Sequence, residues 1–161
     1  MSRFTRSILL AALIAAGCGG GDTTGPDGDV AATGTKMLTA SHNGAAWTAT
    51  VRLGAYNQGT LTVAGHDGTG RNLNIAALRI SGPGTYSLGP GNPNVAVATW
   101  VDGTGQYSSA ATGGSGTITL TAASLTRVTG TFSFVASSPS PSTGQVRTVS
   151  ITNGTFDLTN P

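Results

Sequence analysis

The stretch Thr117–Phe134, TITLTAASLTRVTGTFSF, decides the fold. Ile118, Leu120 and Ala122 alternate with Thr117, Thr119 and Thr121. Val128, Phe132 and Phe134 then alternate with Thr129, Thr131 and Ser133. Successive side chains of an extended strand point to opposite faces. A period of two therefore collects the apolar groups on one side and the hydroxyls on the other. A helix would spread the same residues around its axis. β-branched and aromatic residues also suit a pleated surface buried on one side. The segment is expected to form two strands over a common core.

Outward from it, the same period recurs. Met37 to Ser41 predicts a first strand, and Asn43-Gly44 predicts a hairpin turn, because both residues tolerate positive φ. Trp47, Ala49, Val51 and Leu53 alternate with Thr48, Thr50 and Arg52; Leu61 and Val63 alternate with Thr60 and Thr62. Leu73 and Ile75 have the opposite parity to Leu78 and Ile80, which predicts a bulge near Ala76-Ala77. Tyr86 and Leu88 form a short strand between SGPG and GPGNPN turns. Val95 to Val101 is apolar on both faces and reads as a central strand, with Tyr107 opening its hairpin partner. Val149 and Ile151 alternate with Thr148, Ser150 and Thr152, and the parity flips at Asn153-Gly154 before Phe156 and Leu158. A bulge or tight bend is expected there. Pro139 and Pro141 in SSPSPSTG mark an exposed loop. GTFSF (130–134) and GTFDL (154–158) predict two neighbouring strands with the same packing solution. Gly or Pro interrupts every helical pattern. The expected fold is all-β: an antiparallel β-sandwich or closed barrel of about nine or ten short strands, meander-like, after an N-terminal tether.

The N-terminus has a different character. Arg3 and Arg6 precede an unbroken apolar run, Ile8 to Ala16, and Ala16-Gly17-Cys18 follows. Nine apolar residues fall short of the roughly 20 that a membrane span needs; they fit the hydrophobic part of a secretion signal. Ile14 to Cys18 resembles the lipobox of bacterial lipoproteins, with Ala15 where that family prefers Leu. The resemblance implies cleavage after residue 17 and acylation of Cys18, with Gly19 in the next position favouring the outer membrane. A thiolate is the strongest nucleophile available for such acylation, and two or three acyl chains make anchoring stable. Residues 1–17 are thus read as a signal peptide, and 18–35 as the lipidated cysteine plus a flexible tether. Residues 36–161 are read as one antiparallel β domain. Gly19 to Thr35 has Val30 as its one sizeable apolar side chain. A flexible chain of that length spans about 20–25 Å.

Charge bears on partners. The formal net charge is +2. Without Arg3 and Arg6, the basic residues are Lys36 and the arginines at 52, 71, 79, 127 and 147. They are matched one for one by aspartates, and Glu is absent. A nucleic-acid partner is excluded, because its binding needs a basic footprint that displaces counterions. Cys18 is the only cysteine, so no disulfide within the chain is expected.

Residues 36 to 160 resemble a family of small Gram-negative lipoproteins that carry a β domain of unknown function. The resemblance rests on Asn43-Gly44-Ala45-Ala46-Trp47, Gly84-Thr85-Tyr86-Ser87-Leu88, Gly130-Thr131-Phe132-Ser133-Phe134 and Thr152-Asn153-Gly154-Thr155-Phe156. It implies a β fold and an envelope location, and it carries no catalytic residues.

The strongest polar cluster is His66-Asp67 in GHDGTGRN, with Arg71 nearby. These three could position a small anion, or the His–Asp pair could serve as base and orienter. Gly65, Gly68 and Gly70 make a hairpin loop the first reading, with Asp and Gly there for their backbone geometry and a site the alternative. Trp100 and Tyr107 are the candidate aromatic face for a sugar or small apolar ligand. His42 reads as an exposed turn residue beside Asn43-Gly44. Neither the histidines nor the scattered aspartates have the spacing of a zinc or calcium site, and no cofactor is expected. The expected function is a non-enzymatic interaction or structural module, held to the membrane by its lipid, with a protein or glycan partner. The alternative is a small-ligand or glycan-binding module.

Overall fold

The computed structural model describes residues 36–92, 96–139 and 145–159. All of them belong to one compact unit, Thr33–Pro161. Among the described residues, eleven strands form a single antiparallel sheet that curls into a half-barrel. They are β1 (Met37–His42), β2 (Ala45–Thr48), β3 (Val51–Asn57), β4 (Thr60–His66), β5 (Asn72–Ala77) and β6 (Gly84–Leu88). There follow β7 (Val97–Asp102), β8 (Gly105–Ser108), β9 (Ser115–Ala123), β10 (Arg127–Pro139) and β11 (Val146–Thr159). The hydrogen-bonded order is β2-β1-β11-β10-β8-β7-β5-β4-β3, and β6-β9 branches from β10. Strand β10 makes the branch by pairing with β9 over Val128–Val135 and with β8 at Ser137.

The two ends of this path, β2 and β3, are consecutive in the chain. Ala49 N–H bonds Leu38 O, continuing the β1–β2 ladder; Thr50 N–H bonds His66 O, beginning the β3–β4 ladder. One run of sequence therefore changes partners at Ala49-Thr50. The bend resets the inward parity. Trp47 and Ala49 are buried as expected, but Val51 and Leu53 are exposed at 58% and 47%. Gly54 and Tyr56 face the core instead. A Cβ on Gly54 would meet Leu158 Cβ at 2.5 Å. Small inward positions such as Gly54 and Gly65 let the curled walls approach each other.

Turn chemistry explains the hairpins. Asn43 and Gly44 have φ of 48° and 88°, and Gln58-Gly59 repeats the pattern at 47° and 78° between β3 and β4. Both match the right-handed strand twist that favours type I′ turns. The parity change after Ile75 has another cause than a bulge. β5 ends at Ala77, Leu78 is exposed, and Arg79 at φ 60° turns the chain so that Ile80 is buried. The flip at Asn153-Gly154 is a bulge: register shifts there against both β10 and β1, and Asn153 has φ 51°.

The core is lined by Leu38, Trp47, Leu61, Ile75, Trp100 and Ile118, among others, all at most 2% exposed. The two GTF segments interlock. Gly130 faces Phe156 and Phe132 faces Gly154 across the β10–β11 ladder. Each glycine leaves room for the ring on the opposite strand. The rings of Phe132 and Phe156 lie 6.3 Å apart, within the range of favourable aromatic pairs.

Candidate functional site

The GHDGTGRN loop joins β4 to β5 and closes on its own aspartate. Asp67 Oδ1 accepts the Thr69 N–H at 2.9 Å, the Thr69 hydroxyl at 2.8 Å and the Arg71 N–H at 3.2 Å. Its Oδ2 accepts Arg71 Nε. Burial pushes the Asp67 carboxyl up, but the bonds from Thr69 and Arg71 outweigh it and hold the group well below the usual carboxylate range. His66 is exposed, and its Nδ1 accepts the Gly68 N–H at 3.2 Å. No hydrogen bond joins His66 to Asp67. The structure brings Asp67 and Arg71 together and leaves His66 apart from them. An aspartate whose oxygens are engaged by four donors organises a turn; it does not hold a neighbouring imidazole in position as a base.

Trp100 and Tyr107 do meet, as directly opposed residues of β7 and β8. Both point into the core, at 0% and 2% exposure. A ligand-binding aromatic face would need rings open to solvent, so these two act as packing at the end of the half-barrel.

Around Trp100 lies a cluster that the sequence reading missed. His42, the last residue of β1, stacks on the Trp100 ring at 4.7 Å and 29°. Trp47 of β2 meets Trp100 edge-on at 5.3 Å. Trp100 Nε1 donates to Asp102 Oδ2 at 3.0 Å, and His42 Nε2 lies 3.6 Å from the same oxygen. Asp102 Oδ1 accepts the Thr104 N–H at 2.8 Å and the Thr104 hydroxyl. That hydroxyl also bonds the Tyr107 hydroxyl at 2.8 Å, and Arg147 donates to Thr104 O at 2.9 Å. Burial raises the Asp102 carboxyl; the Thr104 and Trp100 bonds and the nearby His42 together bring it below its ordinary value. The network ties β1, β7, β8 and β11 together at one end of the sheet. Parity was the available signal. His42 shares the inward phase of Leu38 and Ala40, and Asp102 that of Ala98 and Trp100.

Among the described residues, no three His, Cys, Asp or Glu side chains gather to hold a metal ion. No helix among them is long and apolar enough to cross a membrane. Cys18 and the rest of residues 1–35 lie outside the described residues. A family model described as a domain of unknown function (DUF6252) matches residues 34–158. No curated protein and no solved structure matches the chain.

Proposed function

The chain belongs to the DUF6252 family, and from that premise we propose a lipid-anchored, non-enzymatic β module of the cell envelope. The observation that carries the proposal is the order of the N-terminal residues. Two arginines, a short apolar run and Ala16-Gly17-Cys18 precede a Gly-rich stretch, and the family match begins only at residue 34. Acyl chains on Cys18 hold the protein at the membrane, each buried CH₂ adding about 0.8 kcal/mol. Gly19 after the cysteine favours the outer membrane. The absence of catalysis is supported by the state of the best polar groups: Asp67 is engaged by Thr69 and Arg71 of its own loop, and Asp102 by Trp100 of its own strand and Thr104 of the turn that follows.

Labelled palmitate fed to producing cells tests the anchor. The intact chain takes up label and fractionates with membranes, while Cys18→Ser loses both properties. Continued labelling of Cys18→Ser, or an unlabelled wild-type chain, overturns the proposal.

A further inference from the structure

The outer face of β6, β9, β10, β11, β1 and β2 carries threonines in register across all six strands: Thr85, Thr119, Thr131, Thr155, Thr39 and Thr48. Strands are about 4.8 Å apart, so the row runs roughly 24 Å across the sheet. Some of these hydroxyls bond each other, Thr85 to Thr119 at 2.9 Å and Thr39 to Thr155 at 2.8 Å.

Beside the middle of the row is a recess of about 420 Å³, lined on this face by Thr117, Thr131, Ser133, Asn153 and Thr155. The β11 bulge turns Asn153 outward. Thr117, Thr131, Ser133 and Asn153 are exposed, and their side chains make no hydrogen bond within the described residues. Each can donate and accept. No charged residue lines the recess. On the same two strands, β10 and β11, Arg127 and Asp157 form a bidentate ion pair at 2.8 and 2.6 Å that cancels itself.

We infer that this face binds a neutral polysaccharide, with one sugar unit seated in the recess and the chain running along the threonine row. The chemistry selects this ligand class. A polyanion would need free cations. A protein partner would be expected to find exposed aromatic or arginine anchors; Phe132 also lines the recess, but it is only 3% exposed and its ring packs in the core against Gly154 and Phe156, and no arginine lines it. A sugar hydroxyl donates and accepts as Ser, Thr and Asn do, and an extended chain of pyranose units repeats at a length close to the strand spacing. Exchanging water for sugar at each hydroxyl gains little, so recognition depends on a polymer engaging several positions at once. This inference is independent of the lipid anchor: either can fail alone.

The test uses the full chain, purified in detergent and mixed with insoluble cellulose, chitin, xylan and β-1,3-glucan. At least one of these pellets the protein, equally in low and in molar salt. Thr117→Val, Thr131→Val and Asn153→Gly combined remove the hydroxyls and the amide while keeping β-branched shape and the positive φ. This variant loses about tenfold in retention. Thr60→Val, on β4, leaves retention unchanged. Should the triple variant melt early, Asn153→Gly alone carries the comparison. The inference is overturned if none of the four polymers retains the wild type, if salt abolishes retention, or if the variants pellet as the wild type does.

Discussion

The ring of Phe132 fills the space that a side chain at Gly154 would need: a Cβ there would come 2.4 Å from Phe132 Cδ2. Gly130 has the same relation to Phe156, whose Cζ would lie 2.8 Å from an added Cβ. The two strands therefore lock reciprocally, and the lock holds the longest ladder among the described residues in one register.

Gly154→Ala forces the Phe132 ring off its position and is expected to lower stability by about 1–3 kcal/mol, the usual cost of overpacking. Gly103→Ala is the control, since nothing lies within 4 Å of its added Cβ; it should change stability by less than about 0.5 kcal/mol. Urea unfolding of both variants checks the contrast, and equal midpoints would remove the interlock as a source of stability.

Leu61 and Leu53 sit on neighbouring strands of the same hairpin with opposite fates. Leu61 is fully buried and Leu53 is 47% exposed. Leu61→Ala should cost about 2–5 kcal/mol, while Leu53→Thr stays within about 0.5 kcal/mol. Thermal melting of the pair decides whether the parity reset at Ala49-Thr50 is present in solution.

His42→Ala removes the ring stacked on Trp100 and the group beside Asp102. A loss of about 0.5–1.5 kcal/mol is expected from the ring pair, together with a change in Trp100 fluorescence. Trp47→Phe keeps Trp100 as the only indole and assigns the signal. An unchanged emission spectrum on this background would rule out the stack.

Stability should fall in acid. The Asp67 carboxyl is held lowest, and Asp102 and Asp157 are also below their ordinary values, Asp157 chiefly through its bonds from Arg127. Each carboxylate is protonated more readily in the unfolded chain, whose pKa is about 3.9. The unfolded state thus binds more protons below that value, and stability rises with pH through the window. The contribution is complete above about pH 5 and is lost as pH drops below about 4 toward the folded-state values. Urea midpoints measured from neutral pH downward should show this fall, and Asp67→Asn should flatten it most.

Much of the fold was legible in side-chain period. Thr117–Phe134 and Val149–Leu158 alternate so regularly that their faces, and even the β11 bulge at Asn153-Gly154, follow from the parity of apolar residues. Asn43-Gly44 announced its turn because few other residues accept positive φ at little cost. Local pattern failed where the backbone changed partners or conformation. Val51 and Leu53 continue the phase of Trp47 and Ala49 in sequence but lie beyond the bend that transfers the chain from β1 to β4. Leu78 and Ile80 look like a shifted strand, yet Arg79 ends the strand by adopting a left-handed conformation.

The sequence by itself determined the all-β class and the hydroxyl face, and it favoured a turn for GHDGTGRN. Those properties depend on alternation and on groups a few residues apart. Only tertiary structure decided that β2 and β3 bracket the sheet path, that His42 meets Trp100 and Asp102, and that six threonines from six strands form one row. Those outcomes depend on which distant strands pair and in what register. That choice is made by many small packing contacts acting together, and no short segment carries it.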